Sequence, residues 1–248
     1  MTQENEKIRL QAYLASCGIG SRRFCEGPIQ EGRVRINGNV AELGDSVHPG
    51  ETVTLDGKSV TPQERLRYIL LNKPPGFVAT LSDERDRPTA AGILGNKVAE
   101  RVYNVGRLDQ WSSGMLIFTN DGQFSAVLGH PRGEIDKEYL VETDLPIPQD
   151  LPERFERGIM LEGLLFKADD VRLRDDKSMT VTLVEGRNRE IRKILAQFGL
   201  RALTLRRIRI GPVHLDSLVE GEFRDLDEGE VRQILEYSAS RKKGRGEA

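Results

Sequence analysis

The chain has 248 residues, with 37 Lys and Arg against 39 Asp and Glu, two Cys, three His and one Trp. That length suits one large domain or two smaller ones, and a 38% apolar share with 25 glycines is ordinary for a globular protein. No apolar run exceeds that of Tyr68–Leu71, far short of the roughly twenty residues a membrane helix needs.

Residues 1–7, MTQENEK, are polar, unlike a secretory signal or an Arg-rich transit peptide, so the expected compartment is the cytoplasm, with no membrane association. Leu10, Tyr13, Leu14 and Cys17 follow helical spacing, and Gly18 and Gly20 stop that helix. Ser21 is placed to cap a second helix carrying Arg22 and Arg23. Gly27-Pro28 is expected to break or kink it, because an interior proline costs a helix about 3 kcal/mol. Arg33–Ile36 alternates, Asn37-Gly38 makes a turn, and Thr52–Leu55 alternates again before Asp56-Gly57. Residues 8–60 therefore read as one small helix-helix-strand module, followed by a polar linker around Pro62.

A second domain is expected over residues 66–237. Strands are predicted at Tyr68–Leu71, Arg101–Val105, Met115–Phe118, Lys137–Val141, Thr180–Val184 and Leu203–Ile210, the last with a slip in register. A helical segment runs to Gly129, and apolar residues at 191, 194, 195 and 198 mark one helix face ended by Gly199. Strands dominate without strict strand-helix alternation, so the fold class is α+β with a mostly antiparallel sheet. Residues 238–248 read as a flexible basic tail.

Cys17 and Cys25 form no C-x-x-C pair, and His48, His130 and His214 lack ligand spacing, so neither a disulfide framework nor a metal site is expected. Gly57-Lys58-Ser59 imitates a phosphate loop, but Thr52 stands where its first glycine belongs. Gly18-x-Gly20 follows a helix and lacks a third glycine, and no G-x-S-x-G surrounds Ser112 and Ser113. No cofactor is expected. The near-neutral total charge hides a segregation. Residues 185–210 carry eight basic residues against Glu185 and Glu190, a local net of +6, whereas residues 219–230 hold six acids against Arg224. Such a patch is open to nucleic acid, and equally to being a solvated face.

Three blocks are polar where core strands should end quietly: Gly106-Arg107-Leu108-Asp109 running into Thr119-Asn120-Asp121-Gly122, then Lys137-Glu138-Tyr139, then Glu185 through Lys193. In order and spacing they resemble the RsuA/RluB type of ribosomal RNA pseudouridine synthase. The module is similar to its S-four-type RNA-binding domain, carried by Arg9-Leu10, Gly18, Ser21-Arg22-Arg23, Gly32-Arg33-Val34 and Asn37-Gly38. It departs from that pattern in its first helix, where Gln11-Ala12 leaves out the usual lysine.

The resemblance implies a role for each block. Asp109 is the essential acid, which starts the reaction by attack on the substrate or by taking a ribose proton. Tyr139 stacks on an extruded uracil. Arg192 pairs with Asp109 and keeps it ionised. Arg22, Arg23, Arg33, Lys73, Arg107, Arg187, Asn188 and Arg189 are the expected RNA contacts, with Lys73 also supporting a loop near the cleft. The plainer alternative is that Asp109 braces a turn with Arg107, Tyr139 is a core aromatic and the arginines are solvated. The implied partner is ribosomal RNA or a ribosome-assembly intermediate, and nothing such as a heptad asks for more than a monomer. Gly129-His130-Pro131, Glu138-Tyr139 and Glu185–Arg192 favour 23S over 16S RNA. Other functions to be weighed are a non-catalytic assembly factor and a side-chain hydrolase of a small substrate.

Overall fold

The computed structural model describes residues 7–130, 133–184 and 186–246, with side chains of the last helix to Arg241; Pro131 and Glu185 of the sequence blocks lie outside them. The chain divides into two compact units, one holding residues up to Leu66 with Ala99–Arg101, the other Arg67–Val98 and the chain from Val102 onward.

The first unit runs β1 (Ile8–Arg9), α1 (Leu10–Ser16), α2 (Arg22–Gln30), β2 (Val34–Ile36), β3 (Asn39–Val40), β4 (Ser46–Val47), β5 (Val53–Leu55) and β6 (Lys58–Ser59). Leu10, Leu14, Cys25, Ile29, Val34, Val47 and Val53 make its core. Asn37-Gly38 and Asp56-Gly57 both have positive φ at both positions, the primed-turn geometry that matches the twist of paired strands. Ser21 accepts a hydrogen bond from the Phe24 amide as the helix cap. The expected break at Gly27-Pro28 is absent, and α2 continues to Gln30. Pro28 falls in the last turn, where the amides of Glu31 and Arg33 still reach the carbonyls of Gly27 and Pro28.

The second unit contains β7 (Tyr68–Lys73), α3 (Ala90–Leu94), β8 (Tyr103–Val105), β9 (Ser113–Thr119), α4 (Gly122–Gly129), β10 (Lys137–Thr143) and α5 (Leu151–Arg157). It continues with β11 (Ile159–Leu161), β12 (Leu164–Phe166), β13 (Asp170–Leu173), β14 (Ser178–Leu183), α6 (Glu190–Gln197), β15 (Ala202–Ile210), β16 (Val213–His214), β17 (Phe223–Asp225) and α7 (Glu228–Gly246). Among the described residues, nine of these strands form one sheet in the order β13-β14-β10-β15-β9-β7-β17, with β16 beside β15 and β8 beside β9. All pairs are antiparallel except β15 with β9, as the α+β reading expects. β8 begins later than predicted, at Tyr103.

The central strands are covered on both faces. Ile69, Leu71, Leu116 and Phe118 feed one core, and the alternate residues Leu70, Met115 and Ile117 feed the other. The second core also takes Ile234 of α7, and that helix continues to Gly246, through most of the segment expected as a flexible tail. Ser238 is buried with its hydroxyl on the Gly133 carbonyl, Tyr237 donates to Asp136 at 2.7 Å, and Arg241 reaches Asp169. Polar anchors of this kind leave no apolar period to read.

Candidate active site

Asp109 sits on the turn between β8 and β9. Leu108 roots that turn in the core, and the Ser112 amide closes it onto the Asp109 carbonyl. The next residue is fixed twice more. The Gly76 amide donates to the Gln110 carbonyl at 2.8 Å, and the Gln110 side chain returns a bond to the Gly76 carbonyl at 3.1 Å. The half-buried Asp109 carboxylate makes no hydrogen bond or ion pair among the described residues, and it opens onto a cavity of about 380 Å³. Lys137, Tyr139, Arg187, Arg189 and Arg207 line the same cavity.

Tyr139 lies on β10 opposite Arg207 of β15. The predicted slip in register is a bulge: Glu138 pairs with Arg209 and Tyr139 with Arg207, leaving Ile208 unpaired. One inserted residue re-aims the side chains on either side of it. Arg207 turns to the cavity beside Tyr139, and Arg209 instead joins Asp136 and Glu138 at 2.9 and 2.8 Å. Arg207 is 2% exposed; its Nε donates to the Met115 carbonyl at 2.7 Å and its Nη1 to the Tyr139 hydroxyl at 3.4 Å. Its Nη2 is buried without a partner among the described residues. Sequence reasoning missed Arg207, although an arginine in phase with buried Leu205 on a strand is a signal that could have found it.

Arg192 stands on α6, as its helical spacing predicts. Its guanidinium donates to the Trp111 carbonyl at 3.1 Å, the Ser112 hydroxyl at 3.4 Å and the Ala202 carbonyl at 3.3 Å. Among the described residues no hydrogen bond or ion pair joins it directly to Asp109, whose effect on it is through the field alone. Burial pushes Arg192 down, and the Asp109 carboxylate partly restores it. The arginine thus clamps the far end of the Asp109 turn and meets the acid through its field. Arg187 and Arg189 are exposed on the rim, Arg187 with its guanidinium 5.6 Å from the Phe166 ring centre. Asn188 is exposed but does not line the cavity, whereas Arg107 does.

Two expected RNA contacts are occupied elsewhere. Lys73 is fully buried, with its ammonium on the carbonyls of Pro74, Phe77 and Gln110 at 2.8, 2.9 and 3.3 Å. It ties the Pro74–Phe77 loop to the Asp109 turn and cannot reach RNA there. Arg33 forks onto Asp56 at 2.8 and 2.6 Å and also bonds Glu31, which holds it well above its ordinary pKa. Arg22 and Arg23 are exposed at the start of α2.

Lys137, the lysine of the K-x-Y block, is a further site residue that sequence reasoning missed. Burial, aided by Arg207, lowers it to about 8, and burial does the same to Lys73. An unfolded lysine titrates near ~10.4, so between pH 8 and that value the unfolded chain holds protons the folded one has released. Stability should therefore rise with pH across this window. We expect Lys73→Met to flatten the rise, read as urea midpoints at pH 8 and pH 10 that lie closer together than in the wild type. An unchanged slope would mean that Lys73 does not carry this burial.

The family model described as RNA pseudouridylate synthase matches residues 67–197, and that of the S4 domain matches residues 8–53. An RNA pseudouridine synthase of Borreliella burgdorferi is 37% identical over 231 residues, covering 91% of this chain and 92% of its own length. The ribosomal large subunit pseudouridine synthase B of Bacillus subtilis is 36% identical over 233 residues, covering 91% and 95%. A crystal structure of a pseudouridylate synthase superposes with a TM-score of 0.67 at 29% identity, covering 92% of this chain and 99% of that one. The cavity beside Asp109 thus belongs to a chain of the RNA pseudouridine synthase family, of the RsuA/RluB type with an S4 domain, an enzyme that isomerises uridine in RNA.

Proposed function

We propose that this enzyme converts a uridine of 23S ribosomal RNA, with Asp109 as the group that starts the reaction. The observation that carries the reading is the unencumbered Asp109 carboxylate at a cavity it shares with the ring of Tyr139. The 380 Å³ volume lies in the range of small-ligand pockets, enough for one base taken out of its stack. Extruded uracil lies against Tyr139, whose hydroxyl Arg207 holds.

Isomerisation breaks the bond between uracil N1 and ribose C1′, turns the ring and joins C5 to C1′. The C5 hydrogen leaves as a proton and N1 gains one, so atoms balance without any oxidant. Attack on the substrate and removal of a ribose proton both need Asp109 ionised. Lys73 and Arg192 both feel its charge. Exposed Arg107, Arg187 and Arg189, with Arg22 and Arg23 of the S4 domain, supply contacts to phosphate that position the strand without reading its sequence. The large-subunit relative supports the choice of 23S RNA.

Arg192→Ala should lower kcat by about tenfold or more with KM nearly unchanged, because it orients the turn and touches no phosphate. A rise in KM alone would make Arg192 an RNA contact. The target is tested by mapping pseudouridine in both ribosomal RNAs of a strain lacking the gene. One site lost from 23S RNA and restored by the wild-type gene supports the reading; a site lost only from 16S RNA overturns it.

A further inference from the structure

Trp111 stands two residues after Asp109, and its indole is 66% exposed. It is the only tryptophan in the chain. Single exposed apolar side chains are common on proteins and by themselves mean little. This one differs in how firmly its backbone is held. Its carbonyl accepts from Arg192, and the preceding residue is bonded in both directions to Gly76 and from below by Lys73. A Cβ built on Gly76 would lie 4.0 Å from Trp111 Cζ3, so one edge of the indole rests beside the Pro74–Phe77 loop. The turn thus places a large aromatic in water at a fixed distance along the chain from the acid, where burial gives it no reason to be.

The substrate supplies a reason. When a uridine leaves its helix, the neighbouring base loses a stacking partner, and an aromatic ring held on the Asp109 turn replaces it. We propose that Trp111 stacks on a base of the substrate RNA adjacent to the extruded uridine. This rests on the assignment of the Asp109 cavity to that uridine. Trp111 is then a substrate-binding residue that Tyr139, inside the cavity, does not duplicate.

The solitary tryptophan makes its own probe. The Asp109→Asn protein is titrated with ribosomal RNA from a strain lacking the gene, with tryptophan emission and filter retention followed together. Emission should change and saturate along the binding curve. In the otherwise wild-type enzyme, Trp111→Ala should raise KM by roughly 5- to 100-fold with kcat retained, and Trp111→Phe should recover most of the loss. Circular dichroism of Trp111→Ala should match the wild type, since the side chain is exposed. Saturated binding with unchanged emission, or a wild-type KM for Trp111→Ala, would overturn the proposal. If Asp109→Asn still turns over RNA while Trp111 responds, the cavity assignment falls and the stacking contact stands. If ribosomal RNA is not turned over by wild-type enzyme, the ribosomal target falls, and the same two measurements on the remaining RNA of that strain decide on Trp111.

Discussion

Asparagine at position 109 should leave a folded protein that binds RNA and makes pseudouridine at least a thousandfold more slowly, on the order expected when a reacting group is lost. The two side chains share a shape, and the carboxylate makes no hydrogen bond or ion pair among the described residues that the amide would break. What is lost is the charge. Neither attack on the substrate nor removal of a ribose proton is open to a neutral amide. Lys73 and Arg192 lose a favourable neighbour, a small term beside the burial that governs both. The thermal midpoint should therefore move little. Pseudouridine formed on ribosomal RNA, followed against time, checks the rate, and a variant as fast as wild type would remove Asp109 from the reaction.

A large structural effect is expected at Gly114. It sits on β9 with φ +100° and pairs with Arg207 across the parallel junction of the sheet. A Cβ there would stand 2.2 Å from the Arg207 carbonyl oxygen and 2.7 Å from its amide nitrogen. Neither backbone atom can swing away as a side chain would. Gly114→Ala should therefore destabilise the protein by about 3 kcal/mol or more, combining left-handed strain with the forced parting of two central strands. Surviving folded protein should also lose activity, because Arg207 carries the contact to the Tyr139 hydroxyl. Gly221→Ala separates the two causes. Its φ is +83°, but a Cβ there meets nothing within 4 Å, so only the backbone strain of about 1–2 kcal/mol is expected. Equal urea midpoints for the two variants would refute the steric argument.

Much of this architecture is visible in local sequence. The unbroken apolar runs Tyr68–Leu71 and Met115–Phe118, the paired turns at Asn37-Gly38 and Asp56-Gly57, the Ser21 cap and the helical face of Ile191 and Ile194 each follow from neighbours within a few residues. Asp109, Tyr139 and Arg207 meet for a different reason. A one-residue bulge at Ile208 sets which way Arg207 points; the slip itself is legible over Leu203–Ile210, but which residue of β10 then faces Arg207 is not. Lys73 reads as an RNA contact because lysine is almost always solvated, and only three converging carbonyls make its burial tolerable. Arg33 misleads for the opposite reason: its partner Asp56 lies 23 positions away, beyond any local pattern. The end of α7 is held by Ser238 and Tyr237 through polar bonds, which carry no apolar period along the chain.

The reaction turns on one bond, that between uracil C5 and its hydrogen, which must break if the ring rejoins ribose through C5. Ribosomal RNA from a strain lacking the gene, labelled with tritium at uracil C5, gives the direct measurement. Wild-type enzyme should release tritium to water up to a fixed number of equivalents per ribosomal RNA, and Asp109→Asn none above background. Release by the Asp109→Asn protein at the wild-type rate, or none by the wild type while it remains bound to the RNA, would contradict the assignment of this chemistry to Asp109 and its cavity.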